Sequence, residues 1–129
     1  MKVLICGSRN LTDEGLIDRA LGESGFAPDE ILTSDAPGVD EMAARYAAER
    51  GIPVKIFGAE WKVHGRRAVA LRNVAMIRAA DAVIAVSDDR CRETKATVNF
   101  SKREGKRLFV LRVEQDERPP APRADRASL

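Results

Sequence analysis

Residues 81 to 86 read Asp-Ala-Val-Ile-Ala-Val, written DAVIAV, and their reading decides the fold. After the aspartate come five apolar residues without alternation, too few for a helix and suited to a strand covered on both faces. Strands of that kind sit in the middle of parallel sheets, between two layers of helices. Parallel neighbours cannot be joined by tight hairpins, so the flanking sequence should supply crossover helices.

It does. Ahead of DAVIAV, residues 65 to 80, GRRAVALRNVAMIRAA, are rich in helix formers and set Leu71, Val74, Ala75 and Arg78 on one face, which predicts a single helix. Behind it, the polar loop SDDRCRETK leads into a less regular helix ending at Glu104 and Gly105, and RLFVLRV, 107 to 113, reads as another strand. Nearer the start, KVLIC, 2 to 6, is a short buried strand stopped by Gly7. Thr12 followed by Asp13 and Glu14 predicts an N-cap ahead of the stripe Leu16, Ile17, Ala20 and Leu21. A second strand runs from Glu30 to Thr33, and a helix from Val39 carries Met42, Ala43, Tyr46 and Ala47 until Gly51 closes it. PVKIF, 53 to 57, is the third strand, with proline tolerable at its first residue. Strands alternating with helices predict an α/β, Rossmann-like three-layer fold. Its five-stranded parallel sheet has helices on both faces and, with right-handed crossovers, the order 3-2-1-4-5.

A chain of 129 residues is enough for one domain with a real core. We place that domain at residues 1–113 and read 114–129, EQDERPPAPRADRASL, as a flexible proline-rich tail, because its mixed charge and prolines leave little to bury. Apolar residues at 44% and charged residues at 33% fit a soluble globular protein, and no apolar run approaches the roughly 20 residues that span a bilayer. The opening MKVLICGSRN meets Gly-Ser-Arg too soon for a signal peptide, so a cytoplasmic location is expected. Cys6 and Cys91 form no disulfide framework, and one histidine supplies too few ligands for zinc, so no metal and no cofactor is expected. Net charge is +2 from 22 basic and 20 acidic residues, which leaves anion binding to local placement and does not favour nucleic acid.

Ligands of open α/β sheets bind beyond the carboxyl ends of the strands, where strand order reverses, here between the first and fourth strands. The first loop there, Gly7-Ser8-Arg9-Asn10, offers a tight turn, a hydroxyl and a guanidinium that suits phosphate, although it lacks GxGxxG and also fits an ordinary turn. In the second, Ser34-Asp35-Ala36-Pro37-Gly38-Val39-Asp40, Gly38 permits close approach to a ligand at a helix N-terminus. Asp40 there either complements the dipole or binds a ribose hydroxyl. Trp61, after the third strand, either covers the core edge or stacks on a base. Arg72-Asn73 pairs a fork donor with an amide between apparently buried Leu71 and Val74, a placement that a solvated face explains poorly. The fourth loop offers Ser87, Asp88, Asp89, Glu93, Thr94 and Thr97, whose threonines suit either helix capping or phosphate.

GSRN after the first strand, PGVDEMA at the second helix, AEW after the third strand, G-x-x-A-x-x-x-RN-x-x-M at 65 to 76 and AD before an apolar strand together resemble the YspA-like branch of the SLOG superfamily. That superfamily takes in the LOG phosphoribohydrolases and the DNA-processing protein DprA. The resemblance runs from about residue 1 to 112 and implies a Rossmann-like fold that binds nucleotides or nucleotide-derived ligands. Gly7, Ser8 and Arg9 match the first loop, Gly38 and Asp40 match the glycine and acid of the group's GGARGxD, and Trp61, Arg72 and Asn73 match its W and RN positions. Ser34-Asp35 stands where the group has Gly-Gly, and Pro37 where it has Arg. The PGGxGTxxE of LOG enzymes is replaced by SDDRCRETKATV, with Glu93-Thr94 in place of Gly-Thr.

Three functions follow. The first is a sensor or accessory module that binds a nucleotide-derived small molecule through Gly7, Ser8, Arg9, Asp35, Gly38, Asp40, Trp61, Arg72, Asn73, Ser87, Asp88 and Thr94. The second is N-glycosidic cleavage of a nucleoside monophosphate, with Asp40, Arg72 and Glu93 as candidate catalytic groups for a sugar cation and a leaving base. The third, single-stranded DNA binding, ranks last because the chain has one tryptophan and one tyrosine for base stacking. Whether the chain is an enzyme and whether it forms a homo-oligomer are left open, and no membrane partner is expected.

Overall fold

The strand read from DAVIAV, Ala82–Ser87 (β4), is buried along its whole length, as uniform apolarity requires. The computed structural model describes residues 1–114, so the tail read over 114–129 lies, from residue 115 on, outside the described residues. The other strands are Lys2–Gly7 (β1), Glu30–Ser34 (β2), Val54–Phe57 (β3) and Arg107–Arg112 (β5). They form one five-stranded, all-parallel sheet in the order β3-β2-β1-β4-β5, as the alternation predicts.

Helices cover both faces. Gly15–Ser24 (α1) and Val39–Glu49 (α2) pack on the face carrying Val3, Ile5, Ile31, Ile84 and Val86, where Leu16, Ile17, Val39 and Met42 meet them. On the opposite face Leu4, Cys6, Leu32, Val83 and Ala85 meet Met76 and Ile77 of the helix Ala68–Ala79, with Val98 and Phe100 of Arg92–Arg103 packed beside them. Each large apolar side chain buried in this way contributes roughly 1.5–3 kcal/mol, which is why the two-sided central strands dominate the core. At the amino end of the sheet Asp81 accepts from Lys2 N at 2.7 Å and donates its own N–H to the Lys2 carbonyl at 2.8 Å. The aspartate of the AD pair thus aligns β4 with β1, far from the ligand end.

Two expectations are corrected. Thr12 caps no helix: α1 begins at Gly15 after Glu14 without a side-chain cap, and Asp13 Oδ1 accepts from Gly15 N at 3.0 Å. The helix expected over 65–80 starts as a 3-10 turn, Gly65–Arg67, and continues as the α-helix Ala68–Ala79 (α4); a short turn Trp61–His64 (α3) precedes it, and Arg92–Arg103 (α5) follows later in the chain. Gly65 separates α3 from this segment, with a φ of 54° and ψ of −127° that lie outside helical geometry and suit glycine alone. No helix among the described residues is long and apolar enough to cross a membrane.

Candidate ligand-binding cleft

The carboxyl ends of β1 and β4 lie side by side, Gly7 opposite Val86, and the chain leaves them toward opposite edges of the sheet. A cleft of about 30 Å³ opens there. It gathers eight of the residues singled out in the sequence: Gly7, Arg9, Asp40, Arg72, Asn73, Glu93, Thr94 and Thr97. They come from β1 and its loop, from α2, from α4 and from α5, so the parallel topology assembles positions up to 90 apart in sequence, Gly7 and Thr97.

Asp40 is the most constrained of them. It is only 5% exposed, and both its oxygens are engaged: Oδ1 accepts from Gly7 N at 3.1 Å and Oδ2 accepts from Ser34 Oγ. Burial holds its carboxyl above the ordinary range, against the opposing pull of those hydrogen bonds and of the Arg72 charge. The acid therefore ties the end of β1 to the end of β2 while forming part of the cleft wall. Cys6 lies beside it, buried, and burial foremost pushes its thiol well above its usual value, with Asp40 adding to the effect and Arg72 opposing it.

The close approach expected at Gly38 exists, but toward protein. Its φ is 81°, and a Cβ there would stand 2.5 Å from both Arg9 Cα and the Ser8 carbonyl oxygen. Gly38 thus lets α2 dock against the β1 loop, which the Val39 N–H reaches through the Ser8 carbonyl at 3.3 Å. Ser8 is buried and staples the two central loops together: its hydroxyl donates to Asp88 Oδ1 at 2.8 Å and accepts from Asp88 N at 3.2 Å. Asp88 Oδ2 is buried without a hydrogen-bond partner among the described residues. Ser87 Oγ accepts from Asp89 N at 2.9 Å, and Ser87 lines a neighbouring cavity between α5 and β5.

Arg72 is 9% exposed and held in place. Its Nε and Nη2 donate to Asn73 Oδ1, each at 3.3 Å, and its Nη1 lies 3.4 Å from Asp35 Oδ1. Asp35 is exposed and reaches the cleft only through this contact. Arg9 is different: 52% exposed, it meets Glu93 Oε1 through a single 3.0 Å contact, and Glu93 is itself 40% exposed. Thr94 does not cap α5, whose N-cap is Cys91 without a side-chain bond; it is buried in the first turn and lines the cleft. Trp61 is 59% exposed, so it does not cover the core edge, and it does not line the cleft.

Sequence reasoning passed over Cys6, Ala36 and Met76 as lining residues. Met76 was within reach, since it stands four residues after Arg72 and shares its helix face. Three larger cavities adjoin the cleft, and the one between α5 and β5, of about 260 Å³, shares Thr94 with it. Of the other two, one of about 350 Å³ lies between the β3 loop and α4 and shares Arg72, and one of about 370 Å³ lies between α4 and α5 and shares Asn73, Glu93 and Thr97.

With this geometry in view, the chain is similar to known proteins in two ways. The model of the YspA, cpYpsA-related SLOG family matches residues 1–64, which hold Gly7, Ser8, Arg9, Gly38 and Asp40. The Gene 61 protein of Mycobacterium phage D29 is 30% identical over 116 residues, an alignment covering 81% of this chain and 90% of that protein.

Proposed function

This chain belongs to the YspA, cpYpsA-related SLOG family, and we propose that it binds a nucleotide-derived ligand, phosphate first, at the carboxyl ends of β1 and β4. The observation that carries the reading is that two guanidiniums from distant segments, Arg9 and Arg72, line one cleft at the point where strand order reverses. Guanidiniums bind phosphate oxygens through directed, charge-assisted hydrogen bonds. A cleft of about 30 Å³ is the scale of one phosphoryl group and far too small for a whole nucleotide, since a single water needs roughly 10–15 Å³ by that measure. Ribose and base then extend into one of the two largest adjoining cavities, each of a size that suits a small organic ligand.

The role is that of a sensor or accessory module. Thermal unfolding with AMP, ADP-ribose and adenosine tests it. A phosphorylated ligand at about 100 times its Kd should raise the Tm by on the order of 10 °C. Adenosine should do less, and a flat response across the panel would remove the reading.

A further inference from the structure

The cleft holds its own anions. Arg9 and Arg72, the guanidiniums proposed to receive phosphate, are both already in contact with carboxylates, Glu93 and Asp35 respectively. The two guanidiniums are not held alike. The Arg72 side chain is 9% exposed and also fixed by Asn73, while Asp40 has both oxygens committed to Gly7 and Ser34. Glu93 holds Arg9 through one contact between two half-exposed side chains. Its backbone is anchored, because Thr97 Oγ1 donates to the Glu93 carbonyl at 2.9 Å, so only the side chain has to turn for the contact to break.

We propose that Glu93 is a built-in competitor for Arg9: its carboxylate occupies the guanidinium in place of the ligand's phosphate and swings aside when a doubly charged phosphate arrives. The proposal rests on the phosphate-binding reading above and adds a determinant of specificity to it. A lone carboxylate facing Arg9 is displaced by a dianion that brings more charge and more acceptor oxygens, and it is not displaced by a ligand without phosphate. Because both partners are half-exposed, their pairing is weak and the exchange is cheap. The displaced side chain has somewhere to go, since Glu93 also lines the cavity between α4 and α5, which Arg66 and Arg103 border.

Calorimetric titration of wild type, Glu93→Gln, Arg9→Gln and the double variant with AMP, adenosine and inorganic phosphate tests this. Glu93→Gln should bind AMP and phosphate about fivefold more tightly, with adenosine unchanged, because the variant removes both the competitor and a like charge beside the phosphate. The gain should shrink as salt is added and vanish in the Arg9→Gln background. Appearance of AMP binding in Glu93→Gln alone, with wild type too weak to measure, also supports the proposal. If wild type binds AMP and Glu93→Gln binds it equally or less well, the competitor role is wrong while phosphate binding stands. If neither protein binds AMP or phosphate, both readings fall.

Discussion

On the α2 side of the cleft, Asp40 is 5% exposed and both its oxygens accept internal hydrogen bonds; on the α5 side, Glu93 is 40% exposed and touches Arg9 once. The two acids are neighbours in one site, yet only the first is part of the packed interior. Removing a buried, satisfied acceptor strands its donors, whereas removing one member of an exposed pair returns its partner to water. The α2 wall should therefore govern whether the site exists, and the α5 wall what enters it.

The strongest way to break that contrast is Gly38→Ala. The new Cβ would stand 2.5 Å from the backbone of Ser8 and Arg9, at a φ of 81° that side chains rarely adopt. Backbone strain of about 1–3 kcal/mol adds to an overpacking cost of similar size. Against a total stability of roughly 5–15 kcal/mol, that should abolish or greatly weaken cooperative unfolding in urea. An unchanged midpoint would mean that the α2 wall yields, and the distinction between the walls would fail.

Asp40→Ala comes next, at about 2–4 kcal/mol, because it strands the Gly7 N–H and the Ser34 hydroxyl in a buried site. Asp40→Asn should cost less, since its amide can still accept from Gly7 N and donate toward Ser34. The pair also gives a pH test. Burial raises the Asp40 carboxyl above 3.8, so the folded state holds that proton more tightly than the unfolded chain. The resulting stability is fully present below 3.8 and is lost as pH rises through the raised folded value. Urea unfolding of wild type minus Asp40→Asn should therefore show wild type losing ground as pH climbs from about 3.8 upward. A difference that stays flat, or runs the other way, would show that the hydrogen bonds from Gly7 and Ser34 outweigh burial.

The same contrast explains what could be read without coordinates. The sheet was legible because burial on two faces demands uniform apolarity, and DAVIAV, KVLIC and the run at Ile31 and Leu32 satisfy that locally. The order 3-2-1-4-5 then follows from crossover handedness, and with it the edge where Arg9, Asp40 and Arg72 meet. The partners at that edge were not legible. Gly38 carried the signal of a close approach, but a missing Cβ does not say whether ligand or backbone fills the space. Asp40 and Ser34 stand six residues apart across a turn, and Arg9 and Glu93 eighty-four apart across the sheet; no periodicity encodes either pair. The helix expected over 65–80 was legible from propensity except for its first turn, Gly65–Arg67, which is 3-10 and not α.

The smallest expected effect sharpens the comparison most. In a double-mutant cycle, Arg9→Gln, Glu93→Gln and the pair should each shift unfolding free energy by less than about 1 kcal/mol, with a coupling of roughly 0.2–1 kcal/mol that fades with salt. Such a value means that the folded chain gains almost nothing from keeping Arg9 and Glu93 together, so a ligand can separate them without destabilising the sheet. A coupling several times larger would place Glu93 in the same class as Asp40. The α5 wall would then be as fixed as the α2 wall, and the site would have to admit its ligand by some route other than the turning of one side chain.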